Sequence, residues 1–339
     1  MIMQQQRGFS LVELMVGLTI GIVVLTVLSL LLVNNSRARV ELDQSMQQIE
    51  NGRYAMDLLN KQLQHVGFYG TGAPALPSPL VLPDPCATDA ASLLGALALH
   101  VQGFSNVAAA TVPCIGAGNV VPGTDVLVLR RAVTIATPVG TLDPAAFYLQ
   151  AIGANLKFGS GSAPAQFSLT VKSGALAPIH QFLVHIYFVS PCSKEACAAG
   201  SDSIRTLKRL ELTTGGWQTA PLSEGIDRLH VQYGVDTDDP KDGTADLITS
   251  TPVTISDWRR VVEVRVHMLS RNTLASTGYQ DNKTYTLGAV VVPAPNDEFK
   301  RHVYSGASRM INISGRMVNA ATLGAAQAKT YSDSSYADY

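Results

Sequence analysis

The chain has 339 residues, 25 basic and 26 acidic side chains and a formal net charge of −1. That balance excludes the basic footprint of a nucleic-acid binder. The length allows an anchor with one large or two modest domains, and abundant Gly, Pro and Ala with only 15% charged residues suit a β-rich domain with many turns.

Residues 1–8 are short and polar, unlike the apolar region of an ordinary signal peptide, and no Ala-x-Ala cleavage site follows the next segment. Residues 9–33 are apolar with one charge, Glu13. At about 25 residues the run is long enough for a helix to cross a bilayer core. A carboxylate there costs about 2.5–3.5 kcal/mol, so Glu13 needs a reason to be present. Gly17 and Gly21 form a small-xxx-small pair that permits close helix packing. Arg7 precedes the run and would stay on the cytoplasmic side.

The order Arg7-Gly8-Phe9, with Glu13 four residues on and an apolar helix behind it, resembles the class III leader of type IV pilins and type II secretion pseudopilins. The resemblance implies cleavage by a prepilin peptidase between Gly8 and Phe9 and N-methylation of Phe9. Glu13 would then lie one turn along the helix from a free amine. Its best partner is the Phe9 amine of a neighbouring subunit, which offsets the cost of burying the acid. Glu13 is therefore expected to guide assembly.

Apolar positions return at Leu42, Met46, Ile49, Met56, Leu59, Leu63 and Val66, at intervals that predict one helical stripe. Residues 34–67 are thus expected to continue the helix in amphipathic form, with Gly52 costing about 1 kcal/mol against Ala and Gly67 ending it. Residues 68–123 read as a Pro/Gly/Ala-rich connector, with Pro74, Pro77, Pro79, Pro83 and Pro85 excluding helix at its start.

Residues 124–315 read as a β-rich domain. Strands are expected over 125–131, 166–172, 180–190, 204–212, 226–235, 261–269 and 302–313. The clearest alternation places Val262, Val264, Val266 and Met268 on one face, with Glu263, Arg265 and His267 opposite. Consecutive strands without intervening helical patterns predict an antiparallel sheet. Residues 316–339 form a small, polar tail, expected to be mobile.

Four cysteines, Cys86, Cys114, Cys192 and Cys197, all follow the apolar segment, and an even count in an exported domain favours two disulfides. Three pairings exist. The local one, Cys86 with Cys114 and Cys192 with Cys197, is preferred, and the spacing is poor for zinc. Asp236, Asp238, Asp239, Asp242 and Asp246 crowd one turn and form a candidate Ca²⁺ site, set against an ordinary solvated hairpin turn. No His-Glu-x-x-His, Gly-x-Ser-x-Gly or P-loop pattern occurs, so no catalytic residue is assigned and no cofactor beyond that Ca²⁺ is expected.

Three further stretches, residues 50–55 with 67–70, 226–238 with 257–266, and 301–304, are similar to PilW-type minor pilins, although the acidic turn departs from the compact form associated with that family. The residues and the resemblance together imply an α+β fold: a long N-terminal α-helix, half membrane-spanning and half amphipathic, packed on a C-terminal antiparallel β-rich domain. The resemblance implies a non-enzymatic minor pilin that supports initiation and assembly of type IV pili, with adhesion and twitching motility as downstream roles. Its partners would be other minor pilins, the major pilin, prepilin peptidase, the inner-membrane assembly platform and a tip adhesin. It would sit single-pass in the bacterial inner membrane, with its C-terminal domain in the periplasm, and enter the fibre. The alternatives are a J-like minor pseudopilin of type II secretion and, from another class, a membrane-anchored periplasmic enzyme or binding module.

Overall fold

The computed structural model describes residues 8, 10–72, 74, 76–108, 111–213 and 215–317. The chain divides into two compact units, Met1–Gln47 and Gln48–Tyr339. One helix, α1 (Leu11–His65), runs through both. The expected leader (residues 1–7), Phe9 and most of the expected tail (318–339) lie outside the described residues.

In the first unit, α1 is apolar and exposed, with Leu11 73% and Leu32 71% accessible. It is long and apolar enough to cross a membrane by length and composition. The hydroxyls of its apolar run are satisfied within the helix. Thr19 donates to the Met15 and Val16 carbonyls, Thr26 to Ile22 and Ser29 to Leu25. Such back-bonding lets a hydroxyl sit in hydrocarbon without an orphaned donor.

In the second unit, α1 buries Gln48, Gly52, Ala55, Met56, Leu59 and Leu63. This corrects the expected stripe. Leu42, Met46 and Ile49 are exposed, and the buried face runs instead through Gln48 and Gly52. Neither would be chosen as a core residue from sequence. Gln48 Nε2 donates to the Ser270 and Lys300 carbonyls at 3.1 and 3.0 Å, so its amide is paired where it is buried. Gly52 lies under the ring of Tyr304, where a Cβ would collide. Gly67, with φ +71°, turns the chain out of the helix.

Thirteen strands follow among the described residues. A seven-stranded antiparallel sheet has the order β1-β2-β5-β3-β4, with β6 on β5 and β7 on β6. Its members are β1 (Val101–Phe104), β2 (Val126–Ala132), β3 (Phe147–Ile152), β4 (Asn155–Ser160), β5 (Ile179–Ser190), β6 (Thr206–Thr213) and β7 (Gly216–Glu224). A four-stranded sheet has the order β13-β10-β8-β9, from β8 (Ile226–Val235), β9 (Leu247–Thr249), β10 (Val261–Arg271) and β13 (Arg301–Arg309). β11 (Tyr285–Leu287) and β12 (Val290–Val292) form a small hairpin. Two short helices, α2 (Ala90–Ala96) and α3 (Ile255–Arg259), complete the unit.

Two cores explain the sequence pattern. In the first, Ala55, Leu59, Leu63 and Val66 of the helical segment meet Leu229, Val231 and Tyr233 of β8, and Val264, Val266 and Met268 of β10. Leu127 and Leu129 of β2 enter the same core. The opposite face of β2 and β5 (Val126, Val128, Val184, Ile186) forms a second core with Tyr69, Leu93, Leu97 and Ile115. A sheet covered on both faces needs a continuous apolar run, which is what β2 carries.

The second core corrects the expected connector. Residues 68–123 hold α2 and β1, and the Cys86–Cys114 disulfide joins the proline-rich stretch to the loop at Cys114. The expected strand at 166–172 is also corrected. That stretch is irregular with one bridge, Thr170 to Leu176. Its Leu169 N–H and carbonyl are paired by the buried side chain of Gln150, so no sheet ladder is needed. The expected last strand ends at Arg309, and residues 311–317 are helical.

A buried ionic hub secures the 272–300 excursion. Arg301, with its side chain 2% exposed, reaches Asp227 and Asp281 at 3.0 Å and Asp297 at 2.6 Å. Burial by itself would lower the guanidinium pKa, but the three carboxylates outweigh it and hold the pKa raised. Tyr285 donates to Asp281 at 2.8 Å. Arg205 pairs with Asp227 at 2.6 Å.

Candidate assembly site

The described chain at its N-terminal end begins with Gly8 and Ser10, both exposed. Leu14 N–H donates to the Ser10 carbonyl, the first helical bond. The Ser10 hydroxyl accepts from Val12 N–H at 3.3 Å, and a Glu13 carboxylate oxygen (Oε2) accepts from Ser10 N–H at 3.0 Å. Together these make a reciprocal N-terminal cap: the serine serves the helix, and the acid three residues on serves the serine. The sequence signal for it is Ser10-x-x-Glu13 ahead of an apolar run, and it adds Ser10 to the residues expected to matter at this end of the chain.

The cap changes what Glu13 offers. One carboxylate oxygen is used, while Oε1 has no hydrogen-bond partner among the described residues. The carboxylate also sits in the first turn, where the helix dipole favours negative charge. It is exposed and held in one orientation by the cap, which leaves an acceptor available to a second donor. Farther along, a Cβ built on Gly17 or Gly21 would meet nothing within 4 Å. Both glycines therefore leave open shallow ground on an apolar helix, where another helix could approach closely.

The acidic turn is built differently from the expected Ca²⁺ site. Asp236 is buried and accepts from the N–H groups of Asp238 and Gly243, at 3.2 and 2.7 Å. Asp246 accepts from Thr237 N–H at 2.7 Å, and Asp242 from Thr244 N–H at 2.7 Å. Both Asp236 oxygens and one each of Asp242 and Asp246 are committed to folding the turn. Asp238 is held above its usual range, chiefly by the charge of Asp246. Among the described residues no group of three or more His, Cys, Asp or Glu side chains is placed to hold a metal ion. Asp236, Asp238, Asp239, Asp242 and Asp246 therefore do not form one ligand set.

The four cysteines pair as Cys86–Cys114 and Cys192–Cys197. The second closes a short loop after β5. There Asp202 accepts from Ser193 N–H and hydroxyl at 2.9 and 2.8 Å, which brings its pKa down to about 2. The Lys208 ammonium reaches the Lys194 carbonyl of the same loop.

The family model described as Type IV Pilus-assembly protein W matches residues 186–312. The matched stretch takes in the end of β5, the whole four-stranded sheet, the acidic turn and the Arg301 hub. The family model described as Prokaryotic N-terminal methylation motif matches residues 3–33. A type IV-like pilin from Thermus thermophilus has a related structure, with TM-score 0.37 and 10% identity, over 78% of this chain and 96% of that chain. No curated protein matches the sequence. The chain thus joins an N-terminal methylation motif, leading into an exposed apolar helix, to a region similar to the PilW family of pilus-assembly proteins, built on the sheet that the same helix packs against.

Proposed function

We propose that this chain is a non-enzymatic minor pilin that supports the initiation and assembly of type IV pili together with other minor pilins. The observation that carries the reading is the joint presence of the N-terminal methylation motif and the PilW-type domain in one chain. In this reading prepilin peptidase cuts between Gly8 and Phe9 and the new Phe9 amine is methylated. The apolar helix then holds the chain single-pass in the inner membrane, with the β-rich domain in the periplasm, until it is drawn into a fibre beside the major pilin.

Glu13 has a defined part. Its carboxylate keeps one acceptor open beyond its own helix cap. A protonated Phe9 amine on a neighbouring subunit would fill that acceptor and cancel a charge that is costly in hydrocarbon. Gly17 and Gly21 would let the neighbouring helix come close.

A deletion strain complemented with wild type or Glu13→Ala tests the proposal, with surface pili and secreted-enzyme activity scored side by side. Loss of pili with normal secretion, and failure of Glu13→Ala to restore them, is the expected result. Normal pili with lost secretion would move the chain to the type II secretion machine. A mature mass starting at Met1 would remove the processing step and favour a fixed membrane anchor.

A further inference from the structure

A cavity of about 570 Å³ lies at the end of the β-rich unit, where α3, the acidic turn and the 311–317 helix converge. Lys241, Arg259, Arg260 and Arg316 line it, and Asp239 is the one carboxylate among the residues named on its wall. No ion pair to any of these four cations occurs among the described residues. Among the described residues the Lys241 and Arg260 side chains have no hydrogen bond either. Arg259 donates to the Ser78 hydroxyl at 3.1 Å. Arg316 donates to the Asn312 carbonyl at 2.7 Å and to the Gly67 carbonyl, and its guanidinium lies 5.6 Å from the centre of the Tyr69 ring.

Those partners are neutral. They satisfy donors but do not cancel charge. The floor supplies no negative charge to offset them. His100 is buried there, with Nε2 3.1 Å from the Val261 carbonyl, and burial holds it neutral with a pKa of about 4. Beside it the wholly buried Arg130 is held by the Leu99 carbonyl and the Gln102 side chain, again without a carboxylate. Positive charge in a partly dry concavity focuses its field outward and lowers the cost of bringing an anion in. Guanidinium forks suit planar carboxylates.

The remaining wall narrows the anion. Leu76 and Ile313 are apolar lining residues. The loop tied to Arg259 through Ser78 continues into Leu80, 96% exposed, and Val81, 75% exposed. A small inorganic anion would leave Leu76 and Ile313 wet, whereas a peptide in the cavity would cover them. We propose that this cavity receives an acidic peptide segment of a partner protein, its carboxylates on Lys241, Arg260 and Arg316 and its apolar side chains against Leu76 and Ile313. The assignment stands on these residues and is independent of the pilus reading.

The test is a fluorescence-anisotropy titration of the full chain in detergent micelles. The probe is a short labelled peptide alternating glutamate with leucine, beside the same peptide with glutamine for glutamate, and empty micelles as the blank. The glutamate peptide is expected to bind saturably, at least about tenfold tighter than the glutamine peptide, and to weaken as salt screens the charges. Arg260→Glu and Lys241→Glu are each expected to weaken it about tenfold while leaving the melting temperature in place. Arg260→Gln serves if the charge reversal perturbs folding. Equal binding of both peptides, or unchanged binding by every variant, overturns the proposal. Inorganic phosphate that binds tightly and displaces the peptide at equal concentration would also overturn it, by making this a phosphate site.

Discussion

Replacing Arg301 with Met should loosen the four-stranded sheet and the 272–300 excursion, and the size of the effect follows from what stays behind. Asp227 keeps Arg205 at 2.6 Å, and Asp297 is one-third exposed and can be solvated. Asp281 is the casualty. It is wholly buried, and its strongest remaining partner is the Tyr285 hydroxyl at 2.8 Å. Removing one partner of a buried ion pair costs about 3–5 kcal/mol because the other charge is left uncompensated. At about 2–4 °C per kcal/mol for a large domain, Tm should fall by roughly 6–20 °C. The pH dependence has a definite sign. Hydrogen bonding to Arg301 holds the Asp297 carboxyl below its usual range. The native protein therefore has that stability above the unfolded carboxyl pKa and loses it as pH falls through the lower folded value. The variant lacks this contribution, so the deficit should narrow in acid. Near-ultraviolet circular dichroism of the full chain in detergent measures both effects, and adding Asp281→Asn should recover part of the loss. A variant that melts with the wild type at neutral pH would refute the reasoning.

Four further outcomes are expected. Ser10→Ala removes only a helix cap, worth about 1 kcal/mol, and should leave pilus incorporation intact where Glu13→Ala abolishes it; equal defects would make Glu13 a capping residue and nothing more. Gly52→Ala should destabilise by about 1–3 kcal/mol through overpacking on Tyr304, and should turn stabilising in a Tyr304→Ala background, which thermal melts would read directly. Because Ser193 depresses the Asp202 pKa to about 2, the order of the Cys192–Cys197 loop should persist above the normal carboxyl range and fade as pH falls toward 2; Asp202→Asn should flatten that dependence in proteolysis of the loop. Removing Cys86–Cys114, which spans 28 residues of sequence, should cost about 3–4 kcal/mol, against about 2 for Cys192–Cys197 with its separation of 5, since loop-closure entropy grows with length.

Local chemistry carried much of this molecule into view. The apolar run ending at Val33 needs no neighbours to be recognised, because hydrocarbon length and the lone Glu13 are properties of the chain itself. The alternation from Val262 to Met268 reports one wet and one dry face, and β10 has them. The exact span of β8 was legible for the same reason. What stayed hidden depended on partners far away in sequence. Residues 68–123 read as a connector because their apolar residues follow no period; they fill a core only once the far side of β2 and β5 is laid over them. Gln48 and Gly52 are buried because Ser270, Lys300 and Tyr304 approach them, and no helical periodicity encodes that. The five aspartates suggest a metal by composition, yet both oxygens of Asp236 and one each of Asp242 and Asp246 accept from N–H groups of their own turn. Likewise, no spacing rule links Arg301 to Asp227, Asp281 and Asp297. A membrane-length helix with an acid near its start and a β-rich domain behind it can be read from composition and order alone. Which face of that helix is buried, and which cations gather unpaired around one cavity, depend on surfaces that meet only when the chain folds.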